Sequence, residues 1–138
     1  MKSKFSLGLA AAIATGIAAT AFVPAAQASH VCEVIAKNDR IRDGKLDIIE
    51  AIVAGKKTFK ALNPDNDFTL EYAEVSNRIG PKTFDHFNKI KRKGLDRVEW
   101  TRLVKARFKA ANRDGDRTIE CDELMTPAGH RLLAVITY

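Results

Sequence analysis

Asn112-Arg-Asp-Gly-Asp-Arg-Thr-Ile-Glu-Cys-Asp-Glu123 is the stretch on which the fold turns. It has a near copy in Asn63-Pro-Asp-Asn-Asp-Phe-Thr-Leu-Glu-Tyr-Ala-Glu74. Both twelve-residue segments carry oxygen side chains at positions one, three, five, nine and twelve, Thr at seven and an aliphatic residue at eight. A hard cation takes about seven oxygens at roughly 2.3–2.6 Å, and a tight loop supplies them in turn. Asn63, Asp65 and Asp67, like Asn112, Asp114 and Asp116, are placed to give one oxygen each. Thr69 and Thr118 give a backbone carbonyl, Glu71 and Glu120 act directly or through water, and Glu74 and Glu123 give both carboxylate oxygens. Leu70 and Ile119, at position eight, are expected to point into the core while their backbones pair two loops through a short strand.

This is the EF-hand loop pattern. At position six, where a positive φ favours Gly, the chain has Phe68 and Arg117, at a cost of about 1 kcal/mol. No oxygen ligand is lost, so binding is expected with retuned affinity. The repeat exposes two weaker copies. Segment 39–50 keeps Asp39, Asp43, Asp47 and Glu50 but has Ile41 at position three. Segment 88–99 keeps Asn88, Asp96 and Glu99 but has Ile90 and Arg92 at ligand positions. Both are expected to serve as structural partners whose strands pair with a working loop.

The four loops start at residues 39, 63, 88 and 112. The 12 residues 51–62 and 100–111 leave room for one shared helix of ~18 Å between neighbouring loops. Loops at opposite ends of such a helix cannot easily pair, so pairing must skip: two with three, one with four. The connectors read as amphipathic helices, the first through Ile48, Ile49, Ile52, Phe59 and Leu62, another through Val98, Leu103, Val104, Phe108 and Ala111. Gly80-Pro81 breaks the middle connector, which restarts through Phe84 and Phe87. Thr126-Pro127 opens a final helix through Leu132, Leu133 and Val135. The expected fold is all-α: a compact helical bundle of four closely spaced EF-hand loops joined by shared helices, with short inter-loop strand pairing.

The chain has 138 residues, with 23 Lys+Arg against 17 Asp+Glu. Its first 28 residues look like a signal peptide: Lys2 and Lys4, an uncharged run Phe5 to Val23, Pro24 and the small-x-small site Ala26-Gln27-Ala28. Cleavage after Ala28 leaves one domain, 29–138, exported to the periplasm or secreted and no longer membrane-bound. Cys32 precedes loop one and Cys121 is position ten of loop four, so the one–four pairing would bring them within reach of a disulfide. Nine bases against two acids lie between residues 88 and 109. That run is a solvated helix face or a docking surface, Lys89 to Lys109, for an acidic partner or an anionic membrane. Within it, Lys91, Arg92 and Lys93 are placed to act as tethered cations beside Glu99. Export argues against nucleic acid. His30, His86 and His130 are scattered and no catalytic constellation is visible, so no enzyme activity is expected.

The short loop spacing, the exported small chain, Pro64 at position two and the carboxylates at position nine resemble the lanmodulins, periplasmic EF-hand proteins of methylotrophic bacteria that prefer lanthanide(III) ions to calcium. The similarity runs from about Asp39 to Gly129 and includes Phe108-Lys-Ala-Ala-Asn112 and Thr126 to Gly129. It implies metal ligands at Asn63, Asp65, Asp67, Thr69, Glu71 and Glu74 and at Asn112, Asp114, Asp116, Thr118, Glu120 and Glu123, and it implies skip pairing of the loops. The chain differs in having Pro at position two only in loop two, with Arg40, Lys89 and Arg113 elsewhere, and in its basic charge. Calcium or lanthanide(III), about two ions per chain, is the expected cargo. Four ligand carboxylates per competent loop suit a trivalent ion, while Arg113 and Arg117 weaken the field of loop four. A sensor or buffer is the expected role, and a structural or interaction module the alternative.

Overall fold

A computed structural model describes residues 25–90 and 93–138. Most of the expected signal peptide, and Lys91 and Arg92 of the proposed tethered cations, lie outside these described residues. In chain order the elements are α1 (Ala25–Asn38), β1 (Leu46–Asp47), α2 (Ile48–Leu62), β2 (Thr69–Glu71), α3 (Tyr72–Val75), α4 (Pro81–Phe87), β3 (Gly94–Asp96), α5 (Arg97–Ala111), β4 (Thr118–Ile119), α6 (Cys121–Leu124) and α7 (Pro127–Ile136). The chain is mostly helical, as expected. Among the described residues no helix is long and apolar enough to cross a membrane.

The helix starts follow from local chemistry. Asp47 accepts from the Glu50 N–H at 2.7 Å while Glu50 Oε2 accepts from the Asp47 N–H at 3.0 Å, a reciprocal cap that opens α2. Asp96 and Glu99 do the same for α5. Each such cap is worth about 1 kcal/mol. Pro81 begins α4 directly after Gly80, and Thr126 Oγ1 accepts from the Gly129 N–H at 3.0 Å to cap α7.

The four position-eight residues Leu46, Leu70, Leu95 and Ile119 are completely buried. They meet in two antiparallel ladders, Leu46 opposite Ile119 and Leu70 opposite Leu95. Loop one therefore pairs with four and loop two with three, the skipped order that short connectors require. Around these ladders α2, α5 and α7 pack against one another. Trp100, 1% exposed, sits between them, donates its indole N–H to the Gly55 carbonyl at 3.0 Å and meets Phe59 edge-on at 6.3 Å. A Cβ on Gly55 would lie 2.7 Å from Val104 Cγ2, so the hydrogen at that position is what lets α2 and α5 approach.

Two expected core residues face out. Ile49 is 59% and Val98 57% exposed. Both stand at position eleven of their loops, one step off the buried face. In α2 that face is made of Ala51, Ala54, Gly55, Thr58 and Phe59, small residues that permit close helix contact. Helix α1 was not foreseen; it buries Ile35 and lays Val31 and Val34 against the core. Cys32 and Cys121 form a disulfide, with Cα atoms 5.2 Å apart, tying α1 to α6.

Candidate metal centre

Each loop closes on its position-twelve glutamate. Glu50, Glu99 and Glu123 are buried, and in each Oε1 accepts from the N–H of position two: Arg40 at 2.5 Å, Lys89 at 2.6 Å and Arg113 at 2.6 Å. Their Oε2 atoms return to the N–H of position nine. These bonds fix the position-twelve carboxylate against the backbone of its own loop.

Loop two differs. Position two is Pro64, which has no N–H. Glu74 Oε2 accepts from the Glu71 N–H at 2.8 Å, and among the described residues no donor reaches Oε1. At position one, Asn63 is 6% exposed and its buried Oδ1 has no hydrogen-bond partner. An orphaned buried carbonyl oxygen is costly and calls for a donor or a cation. In loop four the equivalent Asn112 Oδ1 accepts from the Gly115 N–H at 2.6 Å.

The middle of the two loops is alike. Asp67 Oδ1 accepts from the Thr69 N–H and hydroxyl, both at 2.9 Å; Asp116 Oδ1 accepts from the Thr118 N–H at 2.8 Å and hydroxyl at 2.7 Å. The backbone N–H donation, first of all, holds both carboxyls below the ordinary range. Both are therefore ionised at neutral pH. Phe68 and Arg117 adopt the left-handed backbone that position six demands, with φ of +74° and +78°. Both are exposed, so the strain buys loop closure without crowding the core.

Loop one is a self-satisfied turn. Asp39 accepts from the Asp43 and Gly44 N–H groups, and Ile41 at position three is 67% exposed. In loop three Asp96 is engaged as the cap of α5, Ile90 is 53% exposed, and Arg92 lies outside the described residues.

The structure thus gathers each expected ligand set into one loop. It does not draw the carboxylates into a cluster: among the described residues no three His, Cys, Asp or Glu side chains converge as a metal-holding group. Asp65, Asp67, Glu74, Asp114, Asp116 and Glu123 are instead turned onto backbone N–H groups. A site residue that the loop pattern did not single out is Lys45. Its Nζ lies 2.5 Å from Glu120 Oε1 and 3.3 Å from Asp116 Oδ2. The one–four pairing register could have found it, because it sets residue 45 against residue 120.

No protein-family model matches this chain, and no curated protein is matched by it.

Proposed function

We propose that this is an exported, non-catalytic EF-hand protein that binds calcium or lanthanide(III) ions through loops two and four, acting as a sensor or buffer. The observation that carries the reading is the Asn63 Oδ1 atom at position one of loop two, buried and without a hydrogen-bond partner. An ion at loop two satisfies it. Binding there gathers Asp65, Asp67, Glu71 and Glu74 onto one ion, so metal loading and loop ordering are one event. Four ligand carboxylates per loop suit a trivalent ion, while Arg113 and Arg117 lower the field of loop four, so the competition between the two ion classes is left to measurement. Titration with terbium(III) or calcium under circular dichroism tests the proposal, with Tyr72 at loop position ten as the sensitiser of terbium emission. Absence of binding below millimolar concentration would sink it. Competition of lanthanum(III) against calcium then separates the two ion classes.

A specific observation also favours a second reading, that of an interaction module. A groove of about 650 Å3 between α2 and α5 is lined by Lys56, Lys60, Arg97, Arg102 and Lys105 around Phe59, with no acidic residue in its lining. The basic surface expected from Lys89 to Lys109 therefore extends onto α2. Such a surface fits an acidic protein or an anionic membrane. If it acts, replacing Lys60 and Arg102 by Glu abolishes binding to anionic vesicles or an acidic peptide while leaving metal titration unchanged.

A further inference from the structure

We propose that Lys45 is a tethered cation that competes with metal at loop four, so that loop two fills first and loop four fills only when the incoming ion displaces the lysine. This rests on the metal-binding reading above and adds an order of filling to it.

The placement comes from backbone register. Lys45 is position seven of loop one, immediately before the residue that pairs with Ile119. The β1–β4 ladder therefore delivers its side chain to Glu120. The ammonium then bridges Glu120 and Asp116, positions nine and five of loop four and two of its four expected carboxylate ligands. A cation already stands where a metal would collect these oxygens. The ammonium donates to both carboxylates and, like any exposed lysine, is charged at neutral pH, so it must be moved aside as an ion.

Loop two offers the contrast. Its position-nine residue, Glu71, is paired with Gly94, the loop-three counterpart of Lys45. Gly94 has no side chain, and a Cβ there would lie 2.3 Å from the Leu70 carbonyl oxygen, so no lysine fits. Lys93 exerts a Coulomb pull on Asp67, but among the described residues no base forms an ion pair with Asp65, Asp67, Glu71 or Glu74. The other ligands follow the same division. In loop four Asn112 Oδ1 and both oxygens of Glu123 are engaged by backbone N–H groups, whereas in loop two Asn63 Oδ1 and Glu74 Oε1 are not. Two loops with the same ligand types are thus set to different affinities by what lies across the strand from position nine.

The test is terbium(III) titration of the disulfide-bonded protein. Calorimetry counts both sites, and Tyr72-sensitised emission follows loop two. The wild type is expected to fill in two steps, the tighter one carrying the emission. Lys45→Ala should tighten the second step about three- to tenfold, the scale of one or two partly exposed ion pairs, and leave the first step unchanged. Lys45→Arg, which keeps the charge, should behave as the wild type. An unchanged or weaker second step in Lys45→Ala, or a shift confined to the emissive step, overturns the role of Lys45 while leaving metal binding intact. A wild type that binds no terbium overturns the metal reading itself, and this inference with it.

Discussion

Cys32 and Cys121 stand 89 residues apart in the chain and are joined, so that the first described helix is fastened to the exit of the last loop. A crosslink closing so long a loop removes about 4.5 kcal/mol of chain entropy from the unfolded state in the ideal case. Replacing both cysteines by serine is expected to lower unfolding free energy by about 2–5 kcal/mol and to steepen the urea slope, because the unfolded chain expands. A change below about 0.5 kcal/mol would show that the bond does not constrain the unfolded chain.

Removing the position-twelve carboxylates should separate the two sites. Glu74→Gln is expected to weaken the tighter terbium site at least about tenfold and to erase the Tyr72-sensitised emission; Glu123→Gln should weaken only the other site. Calorimetry on the two variants checks this. Equal losses at both sites in either variant would argue against independent loops.

Gly94→Ala should be costly, because Gly94 is a buried residue of the β2–β3 ladder. The new methyl would meet the Leu70 carbonyl carbon at 2.4 Å and the Glu71 nitrogen at 2.8 Å, atoms of the facing strand that cannot rotate away. We expect a loss of about 1–3 kcal/mol by thermal or urea unfolding, together with weaker binding at loop two. A variant as stable as the wild type would contradict the close β2–β3 approach.

Metal should stabilise the fold by mass action. Free ion at 100 times its dissociation constant adds about 2.7 kcal/mol per site if the unfolded chain does not bind. The melting temperature is therefore expected to rise with terbium(III) or calcium and to fall back with excess chelator. An unresponsive melting temperature in the presence of measured binding would mean that folded and unfolded chains bind alike.

Much of this architecture was legible from position eight alone. Leu46, Leu70, Leu95 and Ile119 recur as aliphatics at the same position of all four loops, and burying them in pairs leaves only the skipped order given connectors so short. Two helix starts are legible because Gly80-Pro81 and Thr126-Pro127 act through local chemistry, whereas Asp47 and Asp96 read only as loop oxygens and their capping role appears in the structure. Helix faces were read less well. Large aliphatics point to Ile49 and Val98, whereas the buried face of α2 is made mostly of small residues whose value is the space they leave for Trp100 and Val104. Such complementarity belongs to two helices at once and is not written in either. For the site, the ligand positions were visible in the repeat. The roles of Lys45 and of the Arg113 N–H were not, because each depends on which partner the fold brings across.

The two ladders are nested, and that has a consequence for how the molecule assembles. Leu70 and Leu95 are 25 residues apart, Leu46 and Ile119 are 73 apart, and the second pair encloses the first. Closing the outer ladder costs about 1 kcal/mol more in loop entropy than closing the inner one. With Cys32 and Cys121 reduced, folding is thus expected to run from the inside outward, with amide protection at β2–β3 preceding that at β1–β4 in pulsed hydrogen exchange. The disulfide fastens the ladder that closes last, and in the oxidised chain Cys121 waits beside Glu120 already drawn toward its place.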